Sequence, residues 1–144
     1  MIKAENTAHV NTPVEKLYEF ITDARNEPKW HTDVVEVHPV TDGPMRVGTQ
    51  TRWVFKFMGK REGLMEVVEL EPNRLERIQA RSGPMGLTPT ITYRFEPDGD
   101  GAKFTRAVEM EPKGLSKLMA PMMRSMVPKQ NAVFVANVAK LFES

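Results

Sequence analysis

The sequence contains no cysteine, so there is no disulfide framework, and the commonest zinc arrangements, which use thiolate ligands, are excluded. It also lacks any stretch near the ~18 consecutive apolar residues that a membrane span needs, so no integral membrane association is expected. The first ten residues, MIKAENTAHV, have neither the basic start nor the apolar core of a secretory signal. With the missing cysteines this makes the reducing cytoplasm the expected location. Neither sign of charge dominates. The formal net charge is +1 with acids and bases interspersed, which leaves no electrostatic footprint for nucleic acid. No Gly-rich phosphate loop follows a strand, no Gly-x-Ser-x-Gly elbow occurs, and no cofactor is implied.

What is there suits one domain over residues 1–144, long enough to bury roughly two-thirds of the surface its unfolded chain exposes. Ten methionines is a high count, several of them close together late in the chain, and most of the eleven prolines punctuate the ends of apparent elements. Residues 2–10 alternate, with Ile2, Ala4, Asn6, Ala8 and Val10 on one side, which reads as a half-buried strand. Thr12-Pro13-Val14-Glu15 has the form of a helix start, with Thr12 as cap, Pro13 at the first helical position and Glu15 closing a capping box. Val14, Leu17, Tyr18 and Ile21 recur at helical spacing, and Thr22 or Asp23 then caps a second short helical turn towards Trp30.

From there the texture is that of strands, over residues 33–40, 49–58, 62–70, 74–81, 88–96 and 103–111. Gly, Pro and Asn turns join them every ~8–12 residues, the spacing of an antiparallel meander. Residues 114–143 end the chain as a long helix. Leu115, Leu118, Met119, Met122, Met126, Val133, Phe134, Val138 and Leu141 trace its apolar stripe, and Pro121 and Pro128 are expected to kink or break it. The fold class is therefore α+β, in the order strand, two short helices, six strands, long helix. One helix is too narrow to cover seven strands, so the sheet must curl around it, and a pocket can open where side chains do not fill the gap.

Several side chains bear on that pocket. Met119, Met122, Met123 and Met126 either line an adaptable apolar surface or simply pack the core. Trp53, Phe55 and Phe57 share a strand face; core filling suits Phe57 best. Arg106 falls between Phe104 and Val108, in period-two register with Met110, so it faces the apolar interior, where an unpaired charge is very costly. It either orients a ligand carboxylate or carbonyl, pairs with a protein carboxylate, or escapes to solvent at a bulge. Asn6 raises the same question in weaker form. Tyr93, between Ile91 and Phe95, offers a hydroxyl to the cavity or is an amphipathic core residue.

His9, His31 and His38 fall on a polar strand face, at a loop start and beside Glu36 respectively, and suggest no metal site. Asp98-Gly99-Asp100-Gly101 lacks the later ligand of a calcium loop and reads as a hairpin turn. The loops around Met45 and Met85 place a methionine between turn-forming residues, as a lid over the cavity mouth or as ordinary turns.

The segment TPVEKLYEFITD (residues 12–23), followed by Pro28-Lys29-Trp30-His31, Val34-Val35-Glu36-Val37 and Val47-Gly48-Thr49, resembles the START-like (SRPBCC) superfamily in its polyketide cyclase/dehydrase-like branch. Leu118-Met119-Ala120-Pro121-Met122-Met123 is similar to the proline-containing start of that family's final helix, while Pro128 departs from the usual uninterrupted stretch there. The resemblance covers essentially the whole chain. It implies a helix-grip fold, a seven-stranded curved sheet around the C-terminal helix, with a deep apolar cavity between them and a cavity-side aromatic at Trp30. It does not imply one reaction, since members include lipid and hormone binders, aromatases and cyclases, and chaperone cofactors. The expected function is binding of a small apolar ligand by Trp30, Trp53, Phe55, Tyr93, Arg106, Met119, Met122 and Met126. A cyclase or aromatase-like enzyme and a protein-interaction domain are the alternatives.

Overall fold

The computed structural model describes residues 1–56 and 59–143; Phe57 and Met58, expected in a strand and its hairpin, lie outside the described residues. The strands β1 (Ile2–Val10), β2 (Val34–Pro39), β3 (Gln50–Lys56), β4 (Lys60–Glu71), β5 (Leu75–Ser82), β6 (Thr90–Asp98) and β7 (Gly101–Met110) form one 7-stranded antiparallel sheet. Its order, β1-β7-β6-β5-β4-β3-β2, is a meander from β2 to β7 onto whose free edge the first strand is laid. Asp98 pairs with Gly101 across a two-residue turn, as the Asp-Gly-Asp-Gly run leads one to expect. Gly101 has no room for a side chain, because a Cβ there would sit 2.5 Å from the Val10 carbonyl oxygen. Register shifts at Val34/Glu36, Leu64/Met65 and Val67/Glu69 bend their strands, and the sheet curls into a half-barrel.

Helix α1 (Val14–Thr22) buries Val14, Leu17 and Ile21 against the inner face of the sheet. The expected capping box does not form: Pro13 occupies the cap position with extended backbone, and no side chain caps the helix. Thr12 is one residue too early to reach the first free amides. Asp23 does cap the following 3₁₀ segment, Ala24–Lys29, accepting from the Arg25 amide.

The end of the chain departs most from the expected stripe. Residues Gly114–Met119 form a 3₁₀ segment, and α2 runs over Ala120–Leu141. Pro121 lies in the first turn of α2, where its missing N–H is needed by nothing, and the helix continues through Pro128. A 3₁₀ segment turns every 3.0 residues rather than every 3.6, so the face it presents is out of phase with that of α2. Leu115 and Leu118 are accordingly 79% and 82% exposed, and Met122, Val133 and Leu141 are exposed as well. Of the expected stripe, Phe134 and Val138 are buried, and Ala120, Met123, Asn131 and Val135 complete the buried face of α2, packed mainly along β1 and β7.

Candidate functional site

Because α2 lies over the β1–β7 edge, the far wall of the half-barrel is left to α1, the 3₁₀ segment at residues 24–29 and their aromatic contacts. There the interior is closed. Trp30 meets Tyr93 and Phe104 edge-on at ring-centroid distances of 5.7 and 6.2 Å, Phe95 lies 5.8 Å from Phe104, and all four rings are essentially inaccessible.

Between α2, β3, β4 and residues 83–89 the interior is open. An outer chamber of about 250 Å³ is lined by Met65, Met85, Met110, Met119, Met123 and Met126, with Phe55, Val127 and two prolines completing the wall. An inner chamber of about 150 Å³ continues from it: Phe55, Met65, Met110, Val127 and Gln130 border both, and His31, Arg106, Asn131 and Phe134 line the inner part. Met85 stands at the outer lip with φ 57°, a left-handed conformation that costs a non-glycine residue about 1–3 kcal/mol. The corresponding loop methionine, Met45, borders a separate cleft beside Asp23 and Thr49, so only one of the two loops reaches this mouth.

Arg106 does face the interior, and is 4% exposed. Its Nη1 donates to Asn131 Oδ1 at 2.5 Å, while Asn131 Nδ2 donates to Asn6 Oδ1 at 2.7 Å and to the Arg106 carbonyl at 2.9 Å. Asn6 and Arg106 are directly paired across β1 and β7, so one helix amide ties both strands. The guanidinium carbon also lies 5.4, 5.8 and 5.9 Å from the ring centroids of Phe134, Trp30 and Tyr93. Taking a guanidinium out of water costs several kcal/mol. A charged hydrogen bond contributes about 1.5–3 kcal/mol and a desolvated ring face about 2, so these contacts hold the group in place. Every one of them is neutral, however, and among the described residues Nε–H has no hydrogen-bond partner.

A second polar cluster lies alongside. The buried Glu27 Oε2 accepts from the Tyr93 hydroxyl at 2.9 Å and is 2.9 Å from His31 Nδ1. A carboxylate only accepts, so Nδ1 carries the proton and the lone pair of the neutral imidazole is on Nε2. Burial holds the His31 ring below its ordinary value, reinforced by the nearby Arg106 and opposed by Glu27. Burial, with Glu27 close by, pushes the Tyr93 phenol well above its ordinary value, so it stays protonated and serves as a donor. Glu76, paired with Tyr93 across β5 and β6, is 2% exposed with Oε1 unpartnered, and burial pushes its carboxyl well up, with Glu27 adding to the effect.

Of the residues expected at the site, Phe55, Arg106, Met119 and Met126 come together on the cavity wall. Trp30 and Tyr93 sit behind the inner chamber as the backing of Arg106 rather than on its surface. Trp53 is buried beside Glu27 and Glu76 around a hollow of about 10 Å³, its indole N–H donating to Thr51. Met122 is 49% exposed on the outward side of α2, whose neighbour Met123 takes the inward position. Glu27, His31, Glu76 and Asn131 were not anticipated. Among the described residues, no three His, Asp or Glu side chains gather as metal ligands, and no helix is long and apolar enough to cross a membrane.

The architecture is shared with solved structures at low sequence identity. A START superfamily protein from Mycobacterium smegmatis superposes with a TM-score of 0.82 at 13% identity, over 97% of this chain and 96% of that one. TTHA0849 from Thermus thermophilus gives 0.79 at 18% identity, over 96% and 94% of the two chains. The Aha1 dimer from Colwellia psychrerythraea gives 0.67 at 20% identity, over 99% and 97%. No curated protein matches the chain. The model of the family described as polyketide cyclase / dehydrase and lipid transport matches residues 1–143, and the chain belongs to that family, within the START-like superfamily.

Proposed function

We propose that this protein binds a small apolar molecule in the cavity between the sheet and α2, held by Phe55, Met119, Met126 and their neighbours, with its polar end towards Arg106. The observation that carries this reading is the outer chamber itself, about 250 Å³ lined by six methionines. Methionine side chains adapt to ligand shape at little cost, and a pocket with apolar walls and a few convergent polar groups is the usual form of a small-molecule site. The lipid transport in the family description accords with it. Native mass spectrometry of the purified protein, with denaturing extraction, tests the proposal. A stoichiometric apolar molecule is expected. An empty protein that also fails to take up the neutral dye Nile red would refute it.

One observation favours a second reading, a cyclase or aromatase-like enzyme. The Glu27–His31 pair sets a neutral imidazole on the wall of the same inner chamber as Arg106, which joins a proton acceptor to a cation able to polarise a carbonyl. Under this reading the protein cyclises a poly-β-ketone thioester mimic, and His31→Gln loses turnover while still taking up Nile red. No consumption of the mimic by the parent protein would exclude it. The outer face of the sheet carries the ion pairs Lys3–Glu109, Arg77–Glu69, Arg81–Glu66 and Lys103–Glu96, which disfavours that face as an apolar protein-docking surface.

A further inference from the structure

The inner chamber ends on a guanidinium that no carboxylate contacts among the described residues, and we infer that the bound molecule is a carboxylic acid whose carboxylate pairs with Arg106. The inference rests on the cavity being a binding site, as proposed above. Among the described residues no carboxylate lies within ion-pair distance of Arg106; its one side-chain partner is the neutral amide of Asn131. Glu27 is already committed to Tyr93 and His31. Glu76 borders the separate hollow beside Trp53. The charged side chains on the cavity wall are Asp33, Lys56 and Arg106, one negative against two positive. The buried Glu27 carboxylate lies behind Tyr93 and His31 without direct contact to Arg106; on the cavity wall itself one positive charge is in excess. Asp33 is only half-buried, at the junction of the two chambers, and Lys56 borders the outer one. Solvent screening therefore weakens both far more than Arg106.

Charge selects a carboxylate over other polar groups. With Nη1 taken by Asn131 and Nε–H itself shielded within the packing, the donor left for a ligand is Nη2, which gives one carboxylate oxygen a charged hydrogen bond. A ligand carbonyl accepts there but leaves the charge uncompensated. A phosphate brings up to two negative charges to a single cation in a chamber of about 150 Å³. Asn131 is a positioning residue: its amide, braced by Asn6 and by the Arg106 carbonyl, fixes the orientation of the guanidinium before a ligand arrives. The apolar body of the acid then lies outward among the methionines.

Competition of decanoic acid and decan-1-ol against Nile red at neutral pH tests this, on the delipidated protein, on Arg106→Gln and on Met122→Ala. The acid is expected to bind about ten- to a hundredfold tighter than the alcohol, the range a charge-assisted hydrogen-bonded pair supplies. Arg106→Gln is expected to abolish that preference, while Met122→Ala, on the outward side of α2, keeps both the preference and Nile red. Equal binding of acid and alcohol by the parent protein would overturn the inference and leave the cavity reading standing, without recourse to any variant. A preference that persists in Arg106→Gln would place the carboxylate at Lys56 and overturn the assignment. Failure of all three probes to bind would overturn the cavity reading and this inference together.

Discussion

The closed and open halves of the interior are built from different side chains for different ends. Around Trp30, Tyr93, Phe95 and Phe104, rigid rings meet at fixed angles, are essentially inaccessible, and surround a carboxylate with two partners. Around α2, flexible methionines and prolines border an accessible space that ends on an incompletely bonded cation. Glu76 makes the contrast sharper. It too has an unpartnered buried atom, but it borders a hollow of only about 10 Å³, the size of one water probe. An unsatisfied polar group points to a ligand only where there is room for one.

Substitutions rank the two halves. Phe104→Ala is expected to lose about 3–5 kcal/mol in urea unfolding, the usual range for a buried ring, whereas Met126→Ala, beside space that is already open, loses well under half of that. Equal losses would mean that both halves are packed alike. Met126→Trp is expected to block Nile red uptake while costing less than the roughly 1–3 kcal/mol typical of an overfilled core. Uptake unchanged in that variant would move the site elsewhere.

The Glu76 carboxyl is raised from its ordinary 4.5. The unfolded chain therefore ionises first, and stability falls as pH rises above about 4.5 until the folded carboxyl also ionises. His31, held below its ordinary 6.5, acts in the opposite sense and removes stability as pH falls below about 6.5. Glu76→Gln cancels the first effect alone, so its melting temperature should match the parent at low pH and draw ahead towards neutrality. Each pH unit over which the two states differ adds about 1.4 kcal/mol. An advantage independent of pH would contradict the burial argument. Smallest of all, Met122→Ala and Leu118→Ser should change stability by no more than about 0.5 kcal/mol and leave dye uptake unaltered, since both side chains are exposed.

The order of elements and the antiparallel meander were readable because period-two alternation and turn residues are local signals, whereas the pairing of β1 with β7 joins the two ends of the strand sequence and has no local signal. Arg106 was readable for the same reason, standing in register with Phe104 and Val108. That argument also reaches Glu76, which shares a face with Ile78 and Ala80, but the charged run Arg74-Leu75-Glu76-Arg77 obscured it. Asn131 precedes the buried Phe134 and Val135 by three and four residues, so helical spacing places it on the inner face once the start of α2 is known. That start was hidden, because the switch from 3₁₀ to α at Ala120 resets the phase of the stripe. Glu27 and His31 gave the weakest signal. They lie four residues apart among Pro28, Lys29 and other polar neighbours that resemble a solvated loop, and only the packing of Trp30 carries them inward.

Methyl-labelled methionine NMR offers the most direct test, because the sequence supplies ten probes and the cavity divides the nine that lie among the described residues. On titration with decanoic acid, the methyls of Met65, Met85, Met110, Met119, Met123 and Met126 should shift together and saturate at one equivalent, while Met1, Met45 and Met122 stay in place. Shifts confined to Met122 and Met45, or no saturable shifts among the six, would contradict a binding cavity between the sheet and α2.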